Sequence, residues 1–194
     1  LSLLVNFWAA NAQPADHRQW TDVLQEYVLE NGAVDYKGLQ NNKSGLESYL
    51  KLLSANAPND EWSIDAKKAY WINAYNAYTI QLILENYPIN SIKDLRRPWS
   101  QNFIKIGENT ISLNTIEHKI LRPMGDPRIH FAIVCASESC PKLLNYAYES
   151  ETLDQQLEHV TKMFINDPSR NSISQSTAKI SKIFKWFKTW IKCL

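Results

Sequence analysis

The chain has 194 residues, 44% hydrophobic and 21% charged, with 5 Gly, 8 Pro and 3 Cys; this excludes a disordered tail, a linker-rich or collagen-like chain and an array of disulfide knots. With 21 Lys and Arg against 20 Asp and Glu the formal charge is +1, without the basic excess that nucleic-acid binding needs to neutralise phosphates. The surplus lies in the aromatics, 7 Trp, 9 Tyr and 6 Phe, which bring large buried areas to the core of a single domain.

At the N-terminus, Leu1 to Trp8 is an uncharged, largely apolar run followed by Ala9-Ala10-Asn11-Ala12 and Gln13-Pro14. Small residues stand where a signal peptidase reads, so residues 1–12 are expected to be the remnant of a secretory signal, cleaved after Ala12. The run is shorter than the roughly 20 apolar residues of a membrane span, and no span is expected in the mature chain. The domain, 13–194, is therefore expected in the periplasm or outside the cell, where disulfides persist.

The spacing of Trp20, Val23, Leu24, Tyr27 and Val28 predicts an amphipathic helix over 16–30, stopped at Asn31-Gly32. Val34-Asp35-Tyr36 reads as a short extended piece, and Leu46, Tyr49, Leu50 and Leu53 predict a second helix over 44–54. The longest helix is predicted over 65–87, closed by Pro88; its stretch Tyr70 to Ile80 is nearly apolar all round and should be central. Phe103 to Ile106 and Thr110 to Leu113, joined through Gly107-Glu108-Asn109, read as a β-hairpin. A helix follows over 115–121. The six apolar residues from Phe131 to Ala136 suggest that 129–136 is a strand covered on both faces. A helix over 153–165, short strands at 172–174 and 178–183, and an aromatic helix from Phe184 to Trp190 complete the reading, and the domain is expected to continue past Leu194. The order indicates a helix-rich α+β single domain around a small mixed sheet, with 129–136 as its buried central strand and 103–113 as its hairpin.

Cys135 and Cys140 dominate the candidate chemistry. Pro141 would suit the first position of a helix through Leu144, making Cys140 its N-cap, where backbone N–H groups favour a thiolate. Alternatively Cys135 and Cys140 form a disulfide, since four intervening residues can bring the Cα atoms to about 5.5 Å, or remain as inert buried thiols. A thiol nucleophile needs a base. His130 is expected to be badly placed, since five residues of strand separate it from Cys135 by about 16 Å, on opposite faces. His118, from another element, is the better candidate base. His17 and His159 fall on predicted surface helices and read as solvated or capping residues.

Asn114 and Glu117 have the spacing of a capping box, and Glu117 is equally a candidate to orient His118. His118 and Arg122, four residues apart on one face, could bind an anionic group or orient a water; a core histidine bonded to a carbonyl is the plain alternative. Glu117, His118 and His130 have ligand chemistry but no tight His-x-x-x-His pair or cysteine quartet, so no metal site is assigned. Asn73 and Asn76 lie three apart on the most apolar helix, so their amides must either bond neighbouring backbone or face a polar pocket.

Tyr70-Trp71-Ile72-Asn73-Ala74-Tyr75-Asn76-Ala77, Ser112-Leu113 with Ile116-Glu117-His118 and Leu121-Arg122, and Ile129 to Ser137 through Ser139-Cys140-Pro141 together resemble the bacterial and plant family catalogued as domain of unknown function 547. The resemblance extends more loosely from Val34-Asp35-Tyr36 to Phe184-Lys185-Trp186. It implies no settled reaction. It does imply that Asn73, Asn76, Glu117, His118, Arg122, His130, Cys135, Ser137 and Cys140 are a shared polar set, which can serve a site or the fold. The chain is expected to be an exported soluble domain of unknown biochemical activity, with a polar site formed by the Asn73–Asn76 helix, the Glu117–His118 helix and the Cys135–Cys140 strand end; two alternatives give that site a function. One is an exported binding or structural module, stapled by Cys135–Cys140, in which Asn73, Asn76, Arg122, His130 and Ser137 bind an unknown small molecule or peptide without a cofactor. The other is a thiol-dependent hydrolase or transferase acting on an amide or peptide-like substrate, with Cys140 as nucleophile, His118 as base and Glu117 or Asn73 as orienter.

Overall fold

The computed structural model describes residues 14–136 and 140–186; Ser137, Cys193 and the expected signal lie outside them. The fold is built round one long helix. Ser63 caps it by accepting a hydrogen bond from the Ala66 N–H at 3.1 Å, and Asp65 in the first turn complements the helix dipole. We number the elements in chain order: α1 (Arg18–Tyr27), α2 (Tyr36–Asn41), α3 (Ser44–Ala55) and this helix, α4 (Ile64–Glu85). Sixteen of the 22 residues of α4 are buried, so other elements cover it on nearly every side.

α1 and α3 form the first cover. Trp20 of α1 stacks on Tyr49 of α3 with ring centroids 5.2 Å apart, and the Tyr70 hydroxyl of α4 donates to the Leu53 carbonyl at the end of α3 at 2.6 Å. The hairpin follows as β1 (Ile104–Ile106) and β2 (Asn109–Ile111), antiparallel, with Ile104 opposite Ile111. Gly107 turns it at φ 56°, a left-handed conformation that glycine adopts without strain. The Gly107 N–H donates to the Ser54 carbonyl, and Tyr78 of α4 donates its hydroxyl proton to the Lys105 carbonyl, so the hairpin closes against both helices. α5 (Leu113–Thr115) runs into a π turn over Ile116–Leu121. After two 3₁₀ turns come α6 (Leu153–Ile165), the short strands β3 (Ser172–Ile173) and β4 (Ala178–Lys179), and α7 (Lys182–Trp186). Phe184 of α7 packs 6.1 Å from Phe131 and 6.0 Å from Phe164.

The α+β, helix-rich single domain and the 103–113 hairpin are as expected. The sheet differs: among the described residues β1–β2 and β3–β4 are two separate antiparallel pairs, and no mixed sheet joins them. The expected central strand 129–136 is absent. Pro127–Phe131 is a 3₁₀ helix, with Asp126 as its cap and Pro127 at its start, and irregular chain follows through Ala136. Asp126-Pro127 is a helix-start signal that the apolar run after it masked. That run is buried by helices and not by neighbouring strands. The backbone groups that a strand would give to a ladder go instead to a side chain: Ala132 C=O and Val134 N–H bond the Asn76 amide.

Three local expectations also fail. Residues 141–144 form no helix, so Cys140 gains no helix N-terminus. Ser112, two residues earlier than expected, is the cap before the Glu117 segment, accepting from the Thr115 N–H, and Asn114 bonds the Ser100 hydroxyl. His17 is buried, only 4% exposed, with its ring Nδ1 2.7 Å from the Tyr49 hydroxyl; burial pushes it down to about 4. Among the described residues no helix is long and apolar enough to cross a membrane.

Candidate functional site

The site is assembled from two unusual turns that face the middle of α4. In the first, the π turn Ile116–Leu121 takes up an extra residue relative to an α-helix, a device frequent at functional sites. It turns Glu117 inward and leaves His118 half-exposed. The second turn carries His130, and an ion-pair network anchors it. Lys68 of α4 donates to Asp126 at 3.1 Å, Arg128 bonds both oxygens of Asp126, and Arg128 also reaches Asp154 of α6 at 2.8 Å. Burial pushes the Asp126 carboxyl up, but the hydrogen bonds from Arg128 and Lys68 outweigh it and hold the carboxyl below its ordinary value.

Glu117 is the hub of the resulting cluster. Arg122 donates from Nη2 to Glu117 Oε1 at 3.3 Å, His118 Nδ1 lies 3.8 Å from the same oxygen, and His130 Nδ1 lies 4.0 Å from it. Burial raises the Glu117 pKa, and Arg122 partly offsets this. His130, 2% exposed, is pushed down to about 3 by burial, then by Arg122 and His118. His118 is lowered by burial and the Arg122 and Lys119 charges. A carboxyl pulled towards its protonated form thus faces two imidazoles held neutral, which is the donor and acceptor pairing of acid–base sites and of proton-sharing binding sites. His118 and Arg122 do not form the free anion pair that their spacing suggested, because the Glu117 carboxylate stands between them.

The two cysteines complete the wall. Cys135 and Cys140 are joined as a disulfide with Cα atoms 6.1 Å apart. Tyr75, Glu117, His130, Ile133, both cysteines and Ile183 line a small hollow of about 60 Å³. The separation of His130 from Cys135 expected from a strand does not hold, since the 3₁₀ turn folds the segment so that both residues line this one space. Ala136, directly after Cys135, sits at φ 54°, a left-handed backbone that costs a non-glycine residue on the order of 1 kcal/mol.

Asn73 and Asn76 stand apart from this cavity. Asn73 donates to the Tyr148 carbonyl at 2.8 Å and accepts from the Tyr148 N–H at 2.9 Å, and Asn76 brackets Ala132 and Val134 in the same way at 3.0 and 2.8 Å. Their amides hold irregular chain against α4. Ser137 is outside the described residues. Sequence reasoning missed Lys68 and Asp126, whose signal was the Asp-Pro pair, and it missed a larger cleft of about 420 Å³ that also touches Cys140. Among the described residues no three His, Cys, Asp or Glu side chains group to hold a metal.

These features define a helix-rich α+β domain in which an acid–base cluster lies against a short-range disulfide. The family model described as protein of unknown function, DUF547, matches residues 59–165, which span α4, the hairpin, both turns, the disulfide and α6. The chain belongs to that family. No curated protein and no solved structure matches it.

Proposed function

We propose that the chain is an exported, disulfide-stapled binding domain whose polar site is formed by Glu117, His118, Arg122 and His130, taking a polar group of a small molecule or peptide. One observation carries this reading. The sulfurs of Cys135 and Cys140 are bonded to each other, so neither is a thiolate, while the acid–base groups beside them stay gathered on Glu117. The uncharged, largely apolar stretch before Gln13 supports export, and export favours the disulfide. The test uses the unreduced protein with 4-nitrophenyl acetate as a general acyl substrate. The expected result is no turnover above that of a Cys140→Ser variant, and a secreted product that begins at Gln13. Turnover in unreduced protein that Cys140→Ser abolishes overturns the binding reading.

One observation favours a second reading. Cys140 shares its cavity with His130 and Glu117, so reduction would place a thiol beside a base and its orienter, as a thiol hydrolase or transferase on an amide or peptide-like substrate requires. In this reading His130 replaces His118 as the base. Turnover of the acyl substrate that appears only after reduction, and is lost in His130→Ala, is its signature.

A further inference from the structure

Cys140 lies at the boundary of two spaces. On one side is the small cavity with Glu117 and His130; on the other is the cleft of about 420 Å³, within the range that small ligands occupy. The two walls of the cleft come from distant parts of the chain. Ile80 and Ile83 of α4 line it together with Val134, whose N–H donates to the Asn76 side chain, and Leu143. Gly32 lets the walls meet: at φ 81°, a Cβ there would stand 2.8 Å from the Lys142 Cβ and 3.0 Å from the Leu143 nitrogen. The 31–34 turn is therefore seated directly on 142–143 and fixes Lys142 at the rim.

The lining is uneven in a way that indicates its ligand. Ile80, Ile83, Val134 and Leu143 give it an aliphatic stretch, Asn31, Thr79, Asn90 and Ser91 add uncharged polar groups, and Tyr36 and Tyr87 stack at one side with centroids 6.1 Å apart. Its charged groups among the described residues are Lys142 and Arg170, and no described carboxylate lines it. Arg170 already pairs with Asp167 at 3.1 Å, and the exposed Lys142 borders the cleft. An aliphatic stretch beside cations, with no described carboxylate, is complementary to a molecule with an apolar tail and one anionic head. The apolar hollow lined by Phe131, Val160, Met163 and Phe164, about 180 Å³ in volume, shares Lys142 and Arg170 with the cleft but is also lined by the Asp167 carboxylate, which would repel an anionic head.

We propose that this cleft binds a small amphiphilic carboxylate, its aliphatic tail laid along Ile80, Ile83, Val134 and Leu143 and its carboxylate at Lys142. The inference stands apart from the polar site around Glu117 and makes no use of its titration. The experiment titrates octanoate, octylamine and octanol separately into the full oxidised protein, with binding read by calorimetry and amide chemical shifts. Octanoate is expected to saturate one site, to move the resonances of Ile80, Ile83 and Lys142, and to bind at least about tenfold more tightly than octylamine, since the head group alone distinguishes the two. Lys142→Glu, a change at an exposed side chain, should remove that preference; Ile89→Trp, at the half-buried rim, should weaken all three ligands. Equal affinity for the three probes, an unchanged preference in Lys142→Glu, shifts centred on Val160 and Met163, or no saturable binding each overturns the proposal. None of these results bears on whether Glu117 and its partners bind a second molecule.

Discussion

Asn73 and Glu117 are both buried polar residues that face the middle of the fold, yet they are handled in opposite ways. The Asn73 amide finds a donor and an acceptor on one residue, Tyr148, in near-ideal geometry, and neither group carries charge. Glu117 has one cation within hydrogen-bond reach and two imidazoles at the edge of contact, and its burial shows as a raised pKa. Fully paired amides make architecture: Asn73 and Asn76 fix 132–134 and 148 against α4 where no sheet exists to do so. Acids and bases gathered on one carboxyl, in a π turn and beside a disulfide, shift one another's titration in a way that paired amides do not.

The largest expected effect tests the architectural half. Asn73→Leu keeps the volume but strands the Tyr148 N–H and C=O in the core, and at about 1–3 kcal/mol for each orphaned group it should cost roughly 2–6 kcal/mol in urea unfolding. Asn76→Leu should fall at the lower end, because Val134 is only partly buried. A loss below about 1 kcal/mol in both variants would erase the contrast with Glu117.

Acid stability comes next. His17 and His130 have folded-state pKa values lowered to about 4 and about 3, below the ordinary value near 6.5 of an unfolded chain. For a lowered base the unfolded state takes up protons first, so the stability these residues contribute is complete above about pH 6.5 and is lost as pH falls through the folded values. His17 alone accounts for about 3 kcal/mol, at 1.36 kcal/mol per pH unit, over this window. Asp126, lowered by Arg128 and Lys68 against the effect of burial, adds a loss of the same sign at lower pH. Glu117 acts in the other direction, since its raised value makes ionisation the costly state and acid relieves it. Thermal unfolding followed from pH 7 to pH 4 should show a steep fall that His17→Leu flattens; an unchanged slope would contradict the burial of His17.

Removing the staple should cost less. A six-residue loop closed by Cys135–Cys140 contributes roughly 2 kcal/mol by chain entropy, so the double Cys135→Ser, Cys140→Ser variant should remain folded with a measurably lower midpoint. The smallest effect on stability, and the sharpest on the site, is expected of Arg122→Met. Without its cation Glu117 should titrate still higher, readable from its side-chain carboxyl resonance, while the Asn73 and Asn76 amide signals stay in place. Movement of those amides would mean that the two polar regions are one network.

The helices were legible because their apolar residues recur at helical spacing, and α3 and α6 fall within a residue of where Leu46 to Leu53 and Leu153 to Ile165 put them. The 129–136 segment was misread because an apolar run gives no period, and what buries it is helix and amide, not sheet. His17 was misread for a related reason: the face it shares with Trp20 and Leu24 is covered by Tyr49, a contact 32 residues away in sequence that no local pattern encodes. The gathering of His118, Arg122 and His130 on Glu117 depends on a π turn and a 3₁₀ turn, which leave little trace in spacing. The cleft is formed between segments more than a hundred residues apart, and only the glycine at position 32 hints at a close approach.

The most direct test of the account is alkylation of the unreduced protein with iodoacetamide, followed by peptide mass analysis. With the disulfide closed, the peptide that carries Cys135 and Cys140 stays unmodified, and both cysteines are labelled only after reduction. A Cys140 peptide that is labelled without reductant would contradict it, placing a free thiol beside His130 and Glu117 where the account has a closed bond.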